Sequence, residues 1–258
     1  MSTATTTPHL VFGLQAPLAS WGDVAVGEMR PSANRPTRSC LAGLVAACLG
    51  LRRCDEERLR ALDALRFAVR VEEAGLPMHD YHTVQVPRAH KGVRHHARRD
   101  ELEWKPRRSL GTILSTRAYR MEVRANVAVT RGETERMDCP SLELIARAMQ
   151  EPVFAPYLGR RSCPLAAPLA PRIIFAETFT EAESSYRAGQ RSRVEARSEN
   201  EAKAHWYWED GCATPAEAHR VHSRTDHCVS HTHRLFSERT EYEAILVRDD
   251  PGENHVSE

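Results

Sequence analysis

The chain has no apolar run long enough to cross a membrane, no Cys-x-x-Cys pair and no nucleotide-phosphate loop, and each lack narrows what it can do. Its longest apolar stretch, Leu41 to Leu51, falls far short of the roughly 20 residues a helical span requires. Met1 to Thr7 are polar and uncharged, so they do not read as a secretion signal. Seven cysteines, an odd number without paired spacing, argue for reduced thiols and a cytoplasmic location. Without Gly-x-x-x-x-Gly-Lys-Ser/Thr, a nucleoside triphosphate is not the natural ligand, and no cofactor is expected. No internal repeat is present. What is there is an ordinary apolar share, 41% of 258 residues, which predicts one elaborated domain with a real core.

The charge is uneven. The whole chain carries +1, but Tyr81 to Arg124 holds eleven Lys/Arg against four Asp/Glu, a local +7 that leaves the remainder at −6. His82, His90, His95 and His96 lie in the same segment. A basic arm on an acidic body suits a polyanion, although a solvated charged loop would have the same composition.

Periodicity supplies the scaffold for that arm. Residues 9–16 alternate as a first strand, and Thr37 stands as the N-cap of a buried helix over Cys40 to Leu49, which Gly50 stops. Asp55 can cap a short second helix carrying Leu59, Leu62 and Leu65, and Phe67, Val69 and Val71 alternate as strand two. Tyr119 to Val129 form the clearest strand, Asp138 or Cys139 with Pro140 opens a helix, and Arg172 to Ala176 reads as strand four. The order strand, helix, strand, strand, helix, strand predicts an α+β fold with a ferredoxin-like split βαβ core. RNA-binding modules often use the open face of such a sheet. The aromatic signature of the RNA recognition motif is absent, so loops and insertions must do more of the work.

Beyond Glu177 the signal weakens. Residues 181–202 read as a long mobile loop, Trp206 to Trp208, Cys228 to Phe236 and Tyr242 to Val247 as short closing strands, and 249–258 as a frayed tail.

Four places carry candidate chemistry. In RPSANRPTRS, Arg30, Arg35, Arg38 and Ser39 precede or enter the first turn of the first helix, where free N–H groups and the helix dipole favour an anion and arginine adds bidentate contact; capping and surface charge would give the same residues. Tyr81 and His82 of DYHTV, with Arg117 and Tyr119 of TRAYR, flank the basic segment and should converge at its base. They could recognise unpaired bases, or support metal-independent RNA cleavage by abstracting a 2′-hydroxyl proton. PYLGRRSCP brackets Tyr157, Leu158, Gly159, Arg160, Arg161 and Ser162 between prolines. The histidine-rich stretch 219–233 matches no established zinc spacing, and no metal site is expected.

SWG at 20–22, RPTRSCLAGLVAACLGL at 35–51, FAVR at 67–70, DYHTV at 80–84 and PYLGRRSCPLAAPL at 156–169 occur in an order that resembles the Cas-five family, the CasD-type subunits of type I-E CRISPR Cascade, over residues 9–248. The resemblance implies a RAMP fold in which a β-hairpin thumb, 80–118, is inserted in the ferredoxin-like core and 177–248 form a C-terminal extension. It implies a non-catalytic subunit that grips the 5′ handle of the CRISPR RNA and caps one end of the Cascade backbone. The neighbours so implied are the backbone subunit and the large PAM-reading subunit, with target DNA reached indirectly through the complex. The alternative, from related type I-C subunits, is an endoribonuclease that processes repeat RNA. By position, Tyr157 would stack on a handle base, Gly159 would allow close approach, and Arg160 and Arg161 would take phosphates beside Leu158, Ser162 and Trp21. Arg30, Arg35, Arg38 and Ser39 would form the phosphate-holding turn, and Arg117 and Tyr119 the pair at the thumb's base. The thumb itself would offer Arg88, Lys91, Arg94, Arg98, Arg99, Trp104, Lys105, Arg107 and Arg108.

Overall fold

The computed structural model describes residues 6–87, 97–103, 110–132, 138–191, 203–214 and 217–247. The first strand, β1, spans Thr7–Ala19. Its alternation divides the interior: Leu10, Phe12, Leu14 and Ala16 enter one hydrophobic cluster and Val11 the other. Helix α1, Arg38–Cys48, is buried along most of its length. It stops where Gly50, at φ +73°, donates to Ala47 O while Leu51 N donates to Ala46 O, a Schellman ending that needs the left-handed conformation glycine adopts most easily. Helix α2, Glu56–Ala61, and a 3₁₀ turn at Leu62–Ala64 lead into β3, Leu65–Glu73, with Leu59, Leu62 and Leu65 all buried.

Strand β5, Leu110–Arg131, is the spine. Its inner half pairs antiparallel with β1 and β3, and β1 pairs antiparallel with β6, Arg172–Ala176. The outer half of β5 pairs antiparallel with β4, Leu76–Pro87, and in parallel with the two-residue β2, Met29–Arg30. Beyond β3 the sheet continues through β7 (Lys203–Trp208), β9 (Leu235–Val247) and β8 (Arg220–Ser230). Among the described residues nine strands form one sheet, seven of them ordered β6-β1-β5-β3-β7-β9-β8, with β2 and β4 on the outer half of β5. This is an α+β fold, consistent with a ferredoxin-like architecture.

Helix α4, Leu142–Gln150, packs near α1 on one side of the sheet, burying Leu142, Ile145, Ala146 and Met149. The short helix α3, Arg98–Glu103, lies beyond β4. The other side of the sheet carries the largest departure from the sequence reading. Residues Phe179–Arg191 form helix α5 rather than a loop. Phe179, Ala182 and Tyr186 pack with Val11, Ala68 and Ala128 and with Trp206 and Trp208. The face expected to stay open for RNA is therefore covered at its centre. Residues 192–202 and 249–258 lie outside the described residues.

Four local readings also change. Thr37 is the N-cap of α1, but its hydroxyl donates to Trp21 O at 2.6 Å instead of capping. Asp55 stands at the N-cap of α2 without a side-chain cap, its carboxylate accepting from Arg52 N. Ser141, rather than Asp138 or Cys139, caps α4, accepting from Leu144 N at 3.2 Å. The closing strands β8 and β9 are longer than expected, and residues 231–234 form the turn between them.

Glu122 marks where β5 leaves β3 and takes up β4, and it sits at φ 56°. An L-residue held there costs about 1 kcal/mol. Glu122→Gly is therefore expected to raise the urea midpoint slightly; a lower midpoint would mean that the side chain outweighs the backbone strain.

Candidate nucleic-acid interface

The turn before α1 was expected to present four phosphate ligands, and it presents fewer. Arg35 is 7% and Arg38 6% exposed. The Arg35 guanidinium donates to one oxygen of Glu241, Oε2, from both Nη2 and Nε, the latter at 2.7 Å, and lies over the Tyr207 ring at 4.2 Å. Arg38 pairs with Glu209 at 3.3 Å and Asp63 at 3.4 Å. The N-terminal amide of α1 already has its anion, because Arg38 N donates to Asp226 Oδ2 at 2.8 Å. Arg239 holds Asp226 through Nε at 2.6 Å and reaches Glu241 at 2.9 Å. Burial alone would raise the Asp226 pKa, but the Arg239 hydrogen bonds and charge outweigh it and hold the carboxyl below its usual range. Burial pushes Glu209 upward against its arginines. Arg35 and Arg38 thus lock the β8–β9 hairpin to α1 from inside. Of the predicted turn, Arg30 stays exposed and Ser39 partly so.

Trp21 is also interior, 3% exposed, with its amide bonded to Ser32 Oγ and its carbonyl to Thr37.

The root of the β4–β5 hairpin sorts the next candidates by the pleat. Register partners share a face, so His82 with Ser115, Asp80 with Arg117, and Met78 with Tyr119 lie on one side, and Arg30 joins them opposite Arg117. Tyr81 pairs with Thr116, which pairs with Met29, on the other side. Tyr81 therefore does not converge with His82, Arg117 and Tyr119; it stands 63% exposed on the opposite face. His82 is bonded to Asp80. Tyr119 is 5% exposed and belongs to the core, its ring beneath Arg160 at 4.6 Å.

The loop Tyr157 to Pro164 closes on itself. Tyr157 bridges Pro164, Leu158 N donates to Cys163 O, and Cys163 N donates to Arg160 O. Buried Leu158 anchors it, and Ser20 N donates to Leu158 O at 3.0 Å. Gly159 has φ +85°, and a Cβ there would stand 1.7 Å from Ser20 O. Tyr157 at 39% exposure, with Arg161 and Ser162, is presented outward. Arg160 is half-buried, Nη1 donating to Ala118 O at 3.0 Å and Nη2 to Arg30 O at 3.2 Å.

Three arginine-bearing segments thus come together, the Arg160 guanidinium on the backbone of Arg30 and of Ala118, next to Arg117, while Arg30 Nη1 donates to Gly27 O at 2.6 Å and Met29 O at 3.0 Å. Arg30 and Arg117 are direct cross-strand neighbours, with Asp80 at the register position on the other side of Arg117. Of the expected thumb contacts, Arg98 and Arg99 are on α3, paired with Glu101 and Glu103. Arg88, Lys91, Arg94, Trp104, Lys105, Arg107 and Arg108 lie outside the described residues. Two of the C-terminal histidines meet carboxylates, His222 with Glu243 at 2.6 Å and His227 with Asp63 at 3.1 Å. Among the described residues, no group of three or more His, Cys, Asp or Glu could hold a metal ion, and no helix is long and apolar enough to cross a membrane.

Sequence reasoning missed Asp226, Arg239 and Glu241, the partners that take Arg35 and the α1 amide out of the surface set.

Arginines and an exposed aromatic near the root of a long hairpin on an α+β sheet are side chains of the kind that contact an unpaired polyanionic strand. Residues 9–248 match the family described as CRISPR-associated protein (Cas_Cas5), and the chain belongs to it, within the RAMP superfamily of type I CRISPR Cascade proteins. It is 35% identical over 171 residues to the CRISPR system Cascade subunit CasD of Escherichia coli (strain K12), covering 62% of this chain and 69% of that one. A solved structure titled CRISPR RNA-guided surveillance complex superposes with a TM-score of 0.62 at 24% identity, covering 93% of this chain and 90% of the other. A second, titled Crystal structure of Cas protein, gives 0.55 at 23%, covering 93% and 95%. At family level the role is that of a non-catalytic, RNA-binding subunit of Cascade.

Proposed function

We propose that this chain grips the 5′ handle of the CRISPR RNA and caps one end of the Cascade backbone. Its neighbours are then the backbone subunit and the large PAM-reading subunit, with target DNA engaged indirectly, in the cytoplasm. The observation that carries the reading is the Arg30–Arg117 register pair with Arg160 bonded to the Arg30 carbonyl. Two arginines at neighbouring register positions on one face can both reach a phosphate laid across β2 and β5. Tyr157 supplies a stacking surface next to that anion, and Arg161 and Ser162 extend the contact along the strand. In this reading the β4–β5 hairpin is the inserted thumb, with RNA and the neighbouring subunit as its partners. Tyr119, buried under Arg160, supports holding without turnover at that residue, and incubation of the chain with repeat RNA in a chelator tests whether His82, bonded to Asp80, cleaves it.

A labelled synthetic RNA with the sequence of the cognate handle tests this by salt titration. Arg161→Ala and Arg30→Ala are each expected to reduce the slope of log K against log salt by about 0.7, the single-strand value for one phosphate contact. Unchanged slopes in both would overturn the assignment.

A further inference from the structure

The two arginines of the grip loop are not equivalent. Arg161 is exposed, whereas Arg160 is half-buried and directed back into the protein. Its guanidinium donates to Ala118 O of β5 and Arg30 O of β2 and lies over the Tyr119 ring. Three segments remote in sequence meet at that one group: the loop Tyr157 to Pro164, the end of β2, and β5 at the hairpin's root. Strand β2 has only two residues, and its ladder to β5 consists of the pairs Met29–Thr116 and Arg30–Arg117. So short a strand has little cooperative hold of its own, and a side chain bonding its last carbonyl supplies a large part of what fixes it.

We infer that Arg160 is a positioning residue for RNA binding: it sets Arg30 against Arg117 and the loop against both, while Arg30, Arg117 and Arg161 meet phosphate. The inference rests on the proposed RNA-gripping function and refines it. A planar guanidinium can bridge two carbonyls and cover a ring at once. A lysine ammonium keeps the charge but is a point donor on a flexible stem, and cannot hold all three. Pre-organisation of this kind changes affinity at every salt concentration, because it alters the cost of arranging the site rather than the number of counterions released.

The full chain is titrated with the same handle RNA as Arg160→Ala and Arg160→Lys. Both are expected to lose about tenfold in affinity with the salt slope of the native chain. In the RNA-free protein, the Thr116 amide, bonded to Glu28 O at 3.0 Å beside β2, is expected to exchange about tenfold faster in both variants. Native-like binding by Arg160→Lys with a flattened slope in Arg160→Ala would make Arg160 a phosphate contact and overturn the inference. Unchanged Thr116 exchange in both variants would overturn it as well. If Arg160→Ala fails to fold, Arg160→Lys decides by the same two readouts. Failure of the native chain to bind handle RNA would remove the functional reading, and exchange without RNA would still report whether Arg160 orders β2.

Discussion

Glu241→Ala is expected to lower the unfolding free energy by about 3–5 kcal/mol, the usual consequence of stripping one partner from a buried ion pair. Glu241 is 4% exposed and accepts from Arg35 on one oxygen and from Arg239 on the other. Removing the carboxylate leaves Arg35 interior and uncompensated, with the Tyr207 ring as its remaining described contact besides Asn34. The loss should appear as a lower urea midpoint. Arg35→Met with Glu241→Leu should recover most of it, since a hydrophobic pair of similar volume carries no desolvation cost and Arg239 keeps Asp226. Acid acts on the same joint. Asp226 is held below its usual range, so its contribution is complete above the unfolded carboxyl value and is lost as pH falls through the lower folded value. The handle-RNA salt slope of Glu241→Ala, measured where the variant is folded, should match the native one. A midpoint within experimental error of the native value would show that the hairpin is held by packing alone.

That network also explains what could and could not be read in advance. Arg35 and Arg38 ahead of a helix look like an anion site in any linear reading, and the helix terminus does hold an anion. The anion is Asp226, nearly two hundred residues away in sequence. Arg239, Glu241 and Glu243 alternate along one strand and so share a face. Three charges on one face of a strand that also buries Ala244 were the available hint of an internal network. Among the first 176 residues, β1, β3, the inner half of β5, β6, α1, α2 and α4 were legible because their apolar residues recur at period two or at helical spacing, whereas the two-residue β2 and the charged α3 carry no such pattern.

Helix α5 was hidden for a physical reason. Phe179, Ala182, Glu183 and Tyr186 have the helical spacing, but the third position is a carboxylate. Glu183 is 1% exposed and is tied to Asn126 at 2.7 Å and to Arg70 and Arg187 at longer range, so its apolar face reads as broken. The pleat was missed at the hairpin root for a similar reason. Tyr81 and His82 are adjacent in sequence and therefore face opposite sides, and only the register with Thr116 and Ser115 shows which joins Arg117. The loop Tyr157 to Pro164 was legible as a turn, because bracketing prolines and a glycine mark one, while the inward direction of Arg160 depends on the carbonyls of Ala118 and Arg30 and was not.

The glycine carries the second large effect. Gly159→Val is expected to abolish handle binding while leaving most of the fold intact. Two costs coincide there: φ +85° is strained for any β-branched residue, and the new Cβ would stand 1.7 Å from the Ser20 carbonyl oxygen and 2.7 Å from its carbon. Both neighbours are backbone, so neither can swing away. The loop must lift from the end of β1, giving up the Ser20–Leu158 hydrogen bond and drawing Arg160 off Ala118 and Arg30. Tyr157 and Arg161 then no longer share a surface with Arg30 and Arg117. The fitting control is Gly22→Ala. Gly22 has nearly the same conformation, φ +74°, but nothing within 4 Å of a Cβ, so it should cost about 1 kcal/mol in stability and leave binding unchanged. Native-like affinity in Gly159→Val would mean that the loop's close approach to Ser20 is not what presents it to RNA. Loss of binding in Gly22→Ala as well would point to a general loosening of the turn before α1 rather than to the grip.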